Sequence, residues 1–384
     1  MIRDPAVFEQ LIDSVRRFVQ TDLVPLEARV AEEDRVPPDI VQQMRDLGLF
    51  GISIPEEYGG LGLTMEEEVY VAFELGGTSP AFRSVFGTNV GIGSQGLLMD
   101  GTPEQKARYL PKLASGEIIS SFALTEPEAG SDAGSLRTSA RREGDSYVLN
   151  GTKRFITNAP SAGLFTVYAR TDANTADGSG VSAFLVEANT PGLSVGKPEK
   201  KMGQQGSHVS DVIFDDCRVP ADALLGGEEG QGFKTAMKVL DRGRLHMAAL
   251  SVGVSQRLLD MMVSYSTERR QFKKAIAEFQ LIQAMLADSH TETYASRCMV
   301  LDAARRRDSG QNPVRDIAAA KYFATEAVGR IADRAVQVFG GAGYISDYGV
   351  ERLYRDVRIF RIYEGTSQIQ QLVIAKELLR AAAR

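Results

Sequence analysis

The chain has 384 residues, 43% hydrophobic and 24% charged, which is more than one core usually holds, so two or three packed subdomains are expected. A net charge of −6, with no basic stripe beyond Arg305, Arg306 and Arg307 at what reads as a solvated helix end, points away from nucleic acid. Only three histidines occur, His208, His246 and His290, and none is spaced with another His or Cys as metal ligands are. That pattern argues against a zinc centre of the usual kind and against a Ser-His-Asp hydrolase, leaving a carboxylate, Arg and Lys, or a bound cofactor to carry any chemistry.

In chain order, residues 1 to about 120 read as mainly helical, with Phe8, Leu11, Ile12, Val15, Phe18 and Val19 on one face and loops at IPEEYGGLGL and LGGTSP. GIGSQG, from Gly91 to Gly96, matches a dinucleotide fingerprint in letters only. No strand precedes it and no βαβ unit surrounds it, so close packing of small residues is expected there. From residue 121 the period changes: ISSFALT, YVLNGTKRFIT, LFTVYART, VSAFLVEA and SDVIFDDCRV are short β-branched and aromatic runs, and Asn150-Gly151 is a hairpin-turn signal. This β domain ends near Gly230-Gln231-Gly232, and from Phe233 long helical periods return. Pro313 fits the first turn of one helix, and Gly340-Gly341 stop it. The expected organisation is mainly α with a central β domain: a helical domain over 1–120, a β domain over 121–232 and a helical bundle over 233–384.

Cys217 and Cys298 form no motif and suit a reducing interior. The start, MIRDPAVFEQ, has no apolar signal region, and no apolar run reaches the length of a membrane span, so a cytoplasmic protein without membrane insertion is expected.

Two stretches stand out for chemistry. In FALTEPEAGSD, a strand over Phe122 to Thr125 runs into a turn made by Pro127, Gly130 and Ser131, gathering backbone N–H groups and hydroxyls. Such a turn can cradle a pyrophosphate or a polar ring edge, or be an ordinary strand end. In RIYEGTSQIQ, Glu364 stands before an apparent helix start, where Ser367 and Gln370 have the form of a capping box. The acid there either complements the helix dipole or acts chemically.

FALTEPEAGSD, KRFITN, ERRQFKKAIAEFQ, QVFGGAGY and RIYEGTSQIQ occur in the order found in acyl-CoA dehydrogenases, and the resemblance covers essentially the whole chain. It implies an N-terminal helical domain, a β-barrel-like middle domain and a C-terminal four-helix bundle. It also implies FAD as cofactor, an acyl-CoA thioester oxidised to trans-2-enoyl-CoA, electron-transferring flavoprotein as acceptor, and a homotetramer built as a dimer of dimers. The family often places its catalytic base at the Glu of the YEG motif, here Glu364, with flavin N5 accepting the β-hydride. Some relatives carry the base on an earlier helix, at the position of Gly243, where glycine cannot serve.

By the same resemblance, Phe122, Leu124, Thr125, Gly130, Ser131, Phe155, Ile156, Thr157, Thr366 and Gln368 bind FAD within the subunit. Many members have Trp where Phe155 stands. Arg269, Phe272, Gln280, Gln337, Gly340 and Gly341 match positions that reach FAD from a neighbouring subunit, whereas Gln271 replaces a frequent Thr. Ser131, Asp241, Arg244, Tyr363 and Gly365 match substrate positions, and no metal is implied. Finally, SPAFRSVFGTNVG resembles the YRS-type segment of glutaryl-CoA dehydrogenases, which would aim Arg83 at a carboxylate on the acyl tail; the alternatives are that Arg83 pairs with an acid or faces water. The competing functions are a flavin oxidase or monooxygenase on the same scaffold, and a non-catalytic acyl-CoA- or nucleic-acid-binding homologue.

Overall fold

The computed structural model describes residues 2–383. Its first helix, α1 (Pro5–Phe18), starts where the Asp4 carboxylate accepts from the N–H groups of Ala6 and Val7, and it buries Phe8, Ile12, Val15 and Phe18. Then come α2 (Glu27–Glu33), α3 (Pro38–Asp46), α4 (Met65–Leu75), α5 (Pro80–Val90), α6 (Gln95–Asp100) and α7 (Pro103–Ala114). Capping boxes, Thr64 with Glu67 and Thr102 with Gln105, open α4 and α7. GIGSQG joins α5 to α6, and a Cβ at Gly93 would meet the Ser120 Cβ at 2.7 Å, so it is a packing contact.

The middle of the chain forms β1 (Ser120–Ala123), β2 (Ser139–Glu143), β3 (Ser146–Thr157), β4 (Leu164–Arg170), β5 (Val181–Glu187), β6 (Leu193–Val195) and β7 (Val209–Pro220). They make one seven-stranded sheet in the order β1-β4-β2-β3-β7-β6, with β5 beside β4. β4 and β5 are buried along nearly their whole length because both faces are covered, whereas β7 alternates. One face packs Tyr147, Phe165, Phe184 and Phe214 together; the other packs Leu164, Tyr168 and Leu185 against Leu97, Leu110 and Ala236.

The expected hairpin turn at Asn150-Gly151 is corrected by this sheet. β3 runs straight through both residues, and the turn is six residues earlier, at Gly144-Asp145, with Glu143 opposite Ser146 and Gly144 at φ +60°. Asn150 instead exchanges hydrogen bonds with Asp216 of β7, Nδ2 to Oδ1 at 3.0 Å and Asp216 N–H to Oδ1 at 2.8 Å, where the β3–β7 register shifts. An Asn-Gly pair fits a bulge as well as a turn, since both need a permissive backbone.

The chain then enters α8 (Gly232–Glu268), a small hairpin of β8 (Arg270–Gln271) and β9 (Lys274–Ala275), α9 (Gln280–Asp308), α10 (Val314–Phe339), α11 (Gly341–Tyr344), α12 (Val350–Val357) and α13 (Ser367–Ala382). Pro313 is the N-cap of α10, just ahead of its first turn. α10 packs on α8, α9 and α13 as the centre of a bundle. The core is shared between the ends of the chain: Phe8, Val15 and Phe82 lie in one cluster with Leu250, Val254, Val328 and Ile331. The fold is therefore mainly α around a curled central sheet.

Polar contacts fix the seams. Glu27 accepts from Thr78 Oγ1 at 2.8 Å, from the Ser79 N–H at 2.7 Å and from Arg257 Nη2 at 2.7 Å. Asp356 accepts from Ser79 Oγ at 2.8 Å and from the Gln204 N–H. The start of α5, which carries Arg83, is thus tied to α2, α8, α12 and the sheet domain. At the end of α9 the arginine triplet is not simply solvated: Arg305 reaches Glu66 at 2.8 Å, Arg306 reaches Asp302 and Asp316, and Arg307 is half-buried.

Candidate active site

After α12 a 3-10 turn over Arg358–Arg361 brings the chain to Tyr363, Glu364 and Gly365. Glu364 has φ +56° and Gly365 φ +87°, so two consecutive residues are left-handed; glycine tolerates this and glutamate does so at a cost. Such a turn points both carbonyls away from the following helix, and each needs a donor. Gln370 Nε2 donates to the Glu364 and Gly365 carbonyls, both at 3.1 Å, Arg244 Nε to that of Glu364 at 3.3 Å, and Lys321 Nζ to that of Gly365 at 2.7 Å.

The expected capping box is replaced by this arrangement. Thr366, not Ser367, is the N-cap of α13, its Oγ1 accepting from the Ile369 N–H at 3.2 Å. Ser367 is drawn to Glu326 Oε1 at 2.6 Å, and Gln370 serves the two carbonyls instead of the cap.

The Glu364 carboxyl lies against α8 at Gly243. A Cβ on Gly243 would be 2.8 Å from the carboxyl carbon, so the acid fills the space a side chain there would take. Its Oε2 is buried and has no hydrogen-bond partner. Burial pushes the carboxyl above the ordinary carboxylate range, opposed by Arg83, Arg244 and Lys321. Arg244 is itself paired with Asp241 Oδ1 at 2.7 Å, and burial raises Asp241 despite that partner. An acid in this state holds its proton to higher pH than an exposed helix-end acid does.

Arg83 neither pairs with an acid nor faces open water. It is half-buried, its Nη1 lies 4.0 Å from Met247 Sδ, and its guanidinium covers Gly87, where a Cβ would meet Cζ at 2.8 Å. No described residue gives it a salt bridge, and burial pulls its pKa down against Tyr363, Glu364 and Glu68. Behind it, Glu68 is closed by His246 Nε2 at 2.6 Å and by Arg242. Tyr363 stacks on Phe360 at a centroid distance of 5.9 Å.

A second group gathers where β1 ends beside β3. The Arg154 N–H holds the Thr125 carbonyl at 2.8 Å, and Lys153 Nζ donates to the Leu124 carbonyl at 3.1 Å and to Glu126 Oε1 at 2.7 Å. Glu126 also accepts from the N–H groups of Arg137 at 2.6 Å and Thr138 at 2.9 Å, closing the FALTEPEAGSD turn. Phe155 sits at φ +58° on the bulge between Lys153 and Ile156 and is 57% exposed, held outward as an apolar plate. Phe122 leans on Tyr168 at 4.8 Å. Leu124 and Ile156 are buried, so they offer this surface mainly backbone.

This surface fits FAD. The hydroxyls of Thr125, Ser131 and Thr157 and the N–H groups of Gly130 and Ser131 have no partner among the described residues, and a Cβ on Gly130 would meet nothing within 4 Å. Free donors beside an exposed aromatic suit the polar edge and the faces of a flavin.

Apart from Thr366, which caps α13 directly after the Glu364 turn, the remaining expected cofactor residues do not join either group through side-chain hydrogen bonds or ion pairs among the described residues. Arg269, Phe272, Gln280, Gln337, Gly340, Gly341 and Gln368 are exposed, and Thr366 is half-buried. Phe272 is 86% exposed, and Leu281, Tyr344, Leu372 and Leu379 are exposed as well.

Sequence reasoning missed Lys321 and the second role of Gln370. A lysine inside the apolar run of α10 was a readable signal for the first.

Known proteins are similar along the whole chain. Models of the N-terminal, middle and C-terminal domains of acyl-CoA dehydrogenase match residues 7–117, 121–217 and 230–379. A 3-(aryl)acrylate reductase of Clostridium sporogenes is 43% identical over 374 residues, covering 95% of this chain and 96% of that protein. The human mitochondrial short-chain specific acyl-CoA dehydrogenase is 41% identical over 377 residues, covering 98% and 91%. The structure of butyryl-CoA dehydrogenase from Megasphaera elsdenii superposes with a TM-score of 0.94 at 34% identity, covering 99% of this chain and 100% of that one. Among the described residues no helix is long and apolar enough to cross a membrane. Three matched domain models, near-complete coverage and a carboxyl seated on Gly243 lead to one assignment: the chain belongs to the acyl-CoA dehydrogenase family of flavin-dependent oxidoreductases.

Proposed function

We propose that the protein dehydrogenates an acyl-CoA thioester at Cα–Cβ to the trans-2-enoyl-CoA, with Glu364 taking the α-proton. The observation that carries this reading is the Glu364 carboxyl itself: its Oε2 is buried and unpartnered, it lies on Gly243, and burial raises it towards the range of a general base. Bound FAD would supply the acceptor for the β-hydrogen. Thr125, Gly130, Ser131, Phe155 and Thr157 would hold it, and the exposed Arg269, Phe272, Gln280 and Gln337 would reach the FAD of a neighbouring copy in a homotetramer. The Glu364 N–H, in the left-handed turn, would polarise the thioester carbonyl. Electron-transferring flavoprotein is the proposed acceptor and the cytoplasm the proposed location.

The test is anaerobic flavin bleaching against a panel of acyl-CoAs. The parent should bleach on mixing, and Glu364→Gln should keep FAD and acyl-CoA binding yet slow reduction roughly a hundredfold or more. A parental rate in Glu364→Gln would remove the base from this position.

The unpaired Arg83 guanidinium favours a short acyl chain with a carboxylate or polar tail. Glutaryl-CoA, butyryl-CoA and octanoyl-CoA compared in the parent and in Arg83→Met should show a selective loss for glutaryl-CoA. An equal loss for all three would make Arg83 structural.

A second reading is reduction in the opposite sense, with the Glu364 proton delivered to Cα of an enoyl-CoA; the similarity to an arylacrylate reductase favours it. Reoxidation of the dithionite-reduced enzyme by arylacryloyl-CoA, faster than bleaching by the saturated thioester, would support it.

A further inference from the structure

Lys321 lies in α10 among Ile317, Ala318, Ala320 and Ala324 and is 0% exposed. An ammonium without water is costly unless other groups replace its hydration. The one hydrogen bond its Nζ makes is to the Gly365 carbonyl, and no described carboxylate pairs with it at salt-bridge distance. The charges acting on it are Glu364 from the turn, Arg244 from α8 and Glu326 from its own helix. Glu326 is engaged by Arg361 at 3.3 Å and Ser367 at 2.6 Å, and Arg244 by Asp241, so Glu364 is the one acid in this set without a cation of its own. From α13 the neutral Gln370 donates to the turn's two carbonyls, and the neutral Ser367 donates to Glu326.

The backbone that Lys321 grips is the strained part of the site. Glu364 and Gly365 are both left-handed, and their conformation lays the carboxyl on Gly243.

We propose that Lys321 is a positioning residue for the base: its ammonium fixes the Gly365 carbonyl, and with it the turn that seats Glu364, and it joins Arg83 of α5 and Arg244 of α8 as one of three cations that let this carboxyl ionise inside the site. The inference rests on the assignment of Glu364 as the base. Burial pulls Lys321 down to about 8, with Glu364 opposing, so the ammonium form still predominates at neutral pH.

The experiment uses the FAD-loaded protein and follows single-turnover flavin reduction across pH with a saturated acyl-CoA that bleaches the parent. Removing a cation beside a carboxyl raises its pKa, so the acid limb of the profile in Lys321→Met should move up by about one pH unit. The limiting rate should fall about tenfold or more, while acyl-CoA affinity changes little. Lys321→Gln keeps a donor but no charge, so its limb should move as far while its limiting rate stays closer to the parent's. In a Glu364→Gln background, Lys321→Met should cost less than about twofold further, because its effect runs through Glu364.

An unmoved acid limb, or the same loss of rate with and without Glu364, would overturn the proposal. Parental reduction by Glu364→Gln alone would instead overturn the assignment of the base. If Lys321→Met does not retain FAD, the limb of Lys321→Gln decides.

Discussion

Two lysines, Lys153 beside β1 and Lys321 in the bundle, are both fully buried, both donate to a peptide carbonyl, and both are pulled down to about 8 by burial. They differ in what completes them. Lys153 meets Glu126 Oε1 at 2.7 Å, and that carboxylate is closed by the N–H groups of Arg137 and Thr138. Lys321 has only the Gly365 carbonyl, and Glu364 keeps an unpartnered oxygen. A closed pair holds a loop in one shape. An open pair leaves an acid free to exchange a proton, and the fold carries the cost of that vacancy.

The acids follow the same division. Burial pushes Glu126 up, but Lys153 and the N–H of Arg137 outweigh it and hold it below the ordinary range; Glu364 stays above. A depressed acid contributes stability above its unfolded pKa that is lost as pH falls through the folded value. A raised acid contributes stability below its unfolded pKa that is lost as pH rises through the folded value. Falling pH should therefore loosen the FALTEPEAGSD turn, and pH rising above the ordinary carboxylate range the Glu364 turn.

The largest effect should come from opening the closed pair. Glu126→Ala leaves Lys153 buried without a counter-charge and should cost about 3–5 kcal/mol in denaturant unfolding. A loss below about 1 kcal/mol would mean that the pair is not what holds the turn.

Next, Gly243→Ala places a methyl 2.8 Å from the Glu364 carboxyl carbon and should slow flavin reduction about tenfold or more by displacing the acid. An unchanged rate in stopped flow would show that the seat on Gly243 is dispensable.

Smaller and opposite in sign, Glu364→Gln should stabilise the protein by about 0.5–1 kcal/mol at pH 8, since it removes an acid whose ionisation opposes folding. A lowered Tm there would place Glu364 with Glu126 as a structural acid.

The smallest change is expected for Gly130→Ala. A Cβ there meets nothing within 4 Å, so stability should stay within about 0.5 kcal/mol, while FAD retention during gel filtration falls. Unaltered retention would remove Gly130 from the cofactor surface.

The sequence by itself determined the helical, β, helical order, because hydrophobic period is local: three and four in the spacing of Phe8, Ile12 and Val15, and short β-branched runs from residue 120 onward. It also marked Glu364 and the FALTEPEAGSD turn, whose unusual residue strings are contiguous. Tertiary structure decided what depends on partners distant in the chain. Asn150-Gly151 became a bulge because Asp216 of β7 completes Asn150, and Thr366 became the cap because Glu326 takes Ser367. Lys321 acquired a role because α10 carries it to a carbonyl 44 residues further along the chain. Local pattern fixes which element forms, but the state of a buried charge depends on which groups replace its water, and only packing brings those groups together.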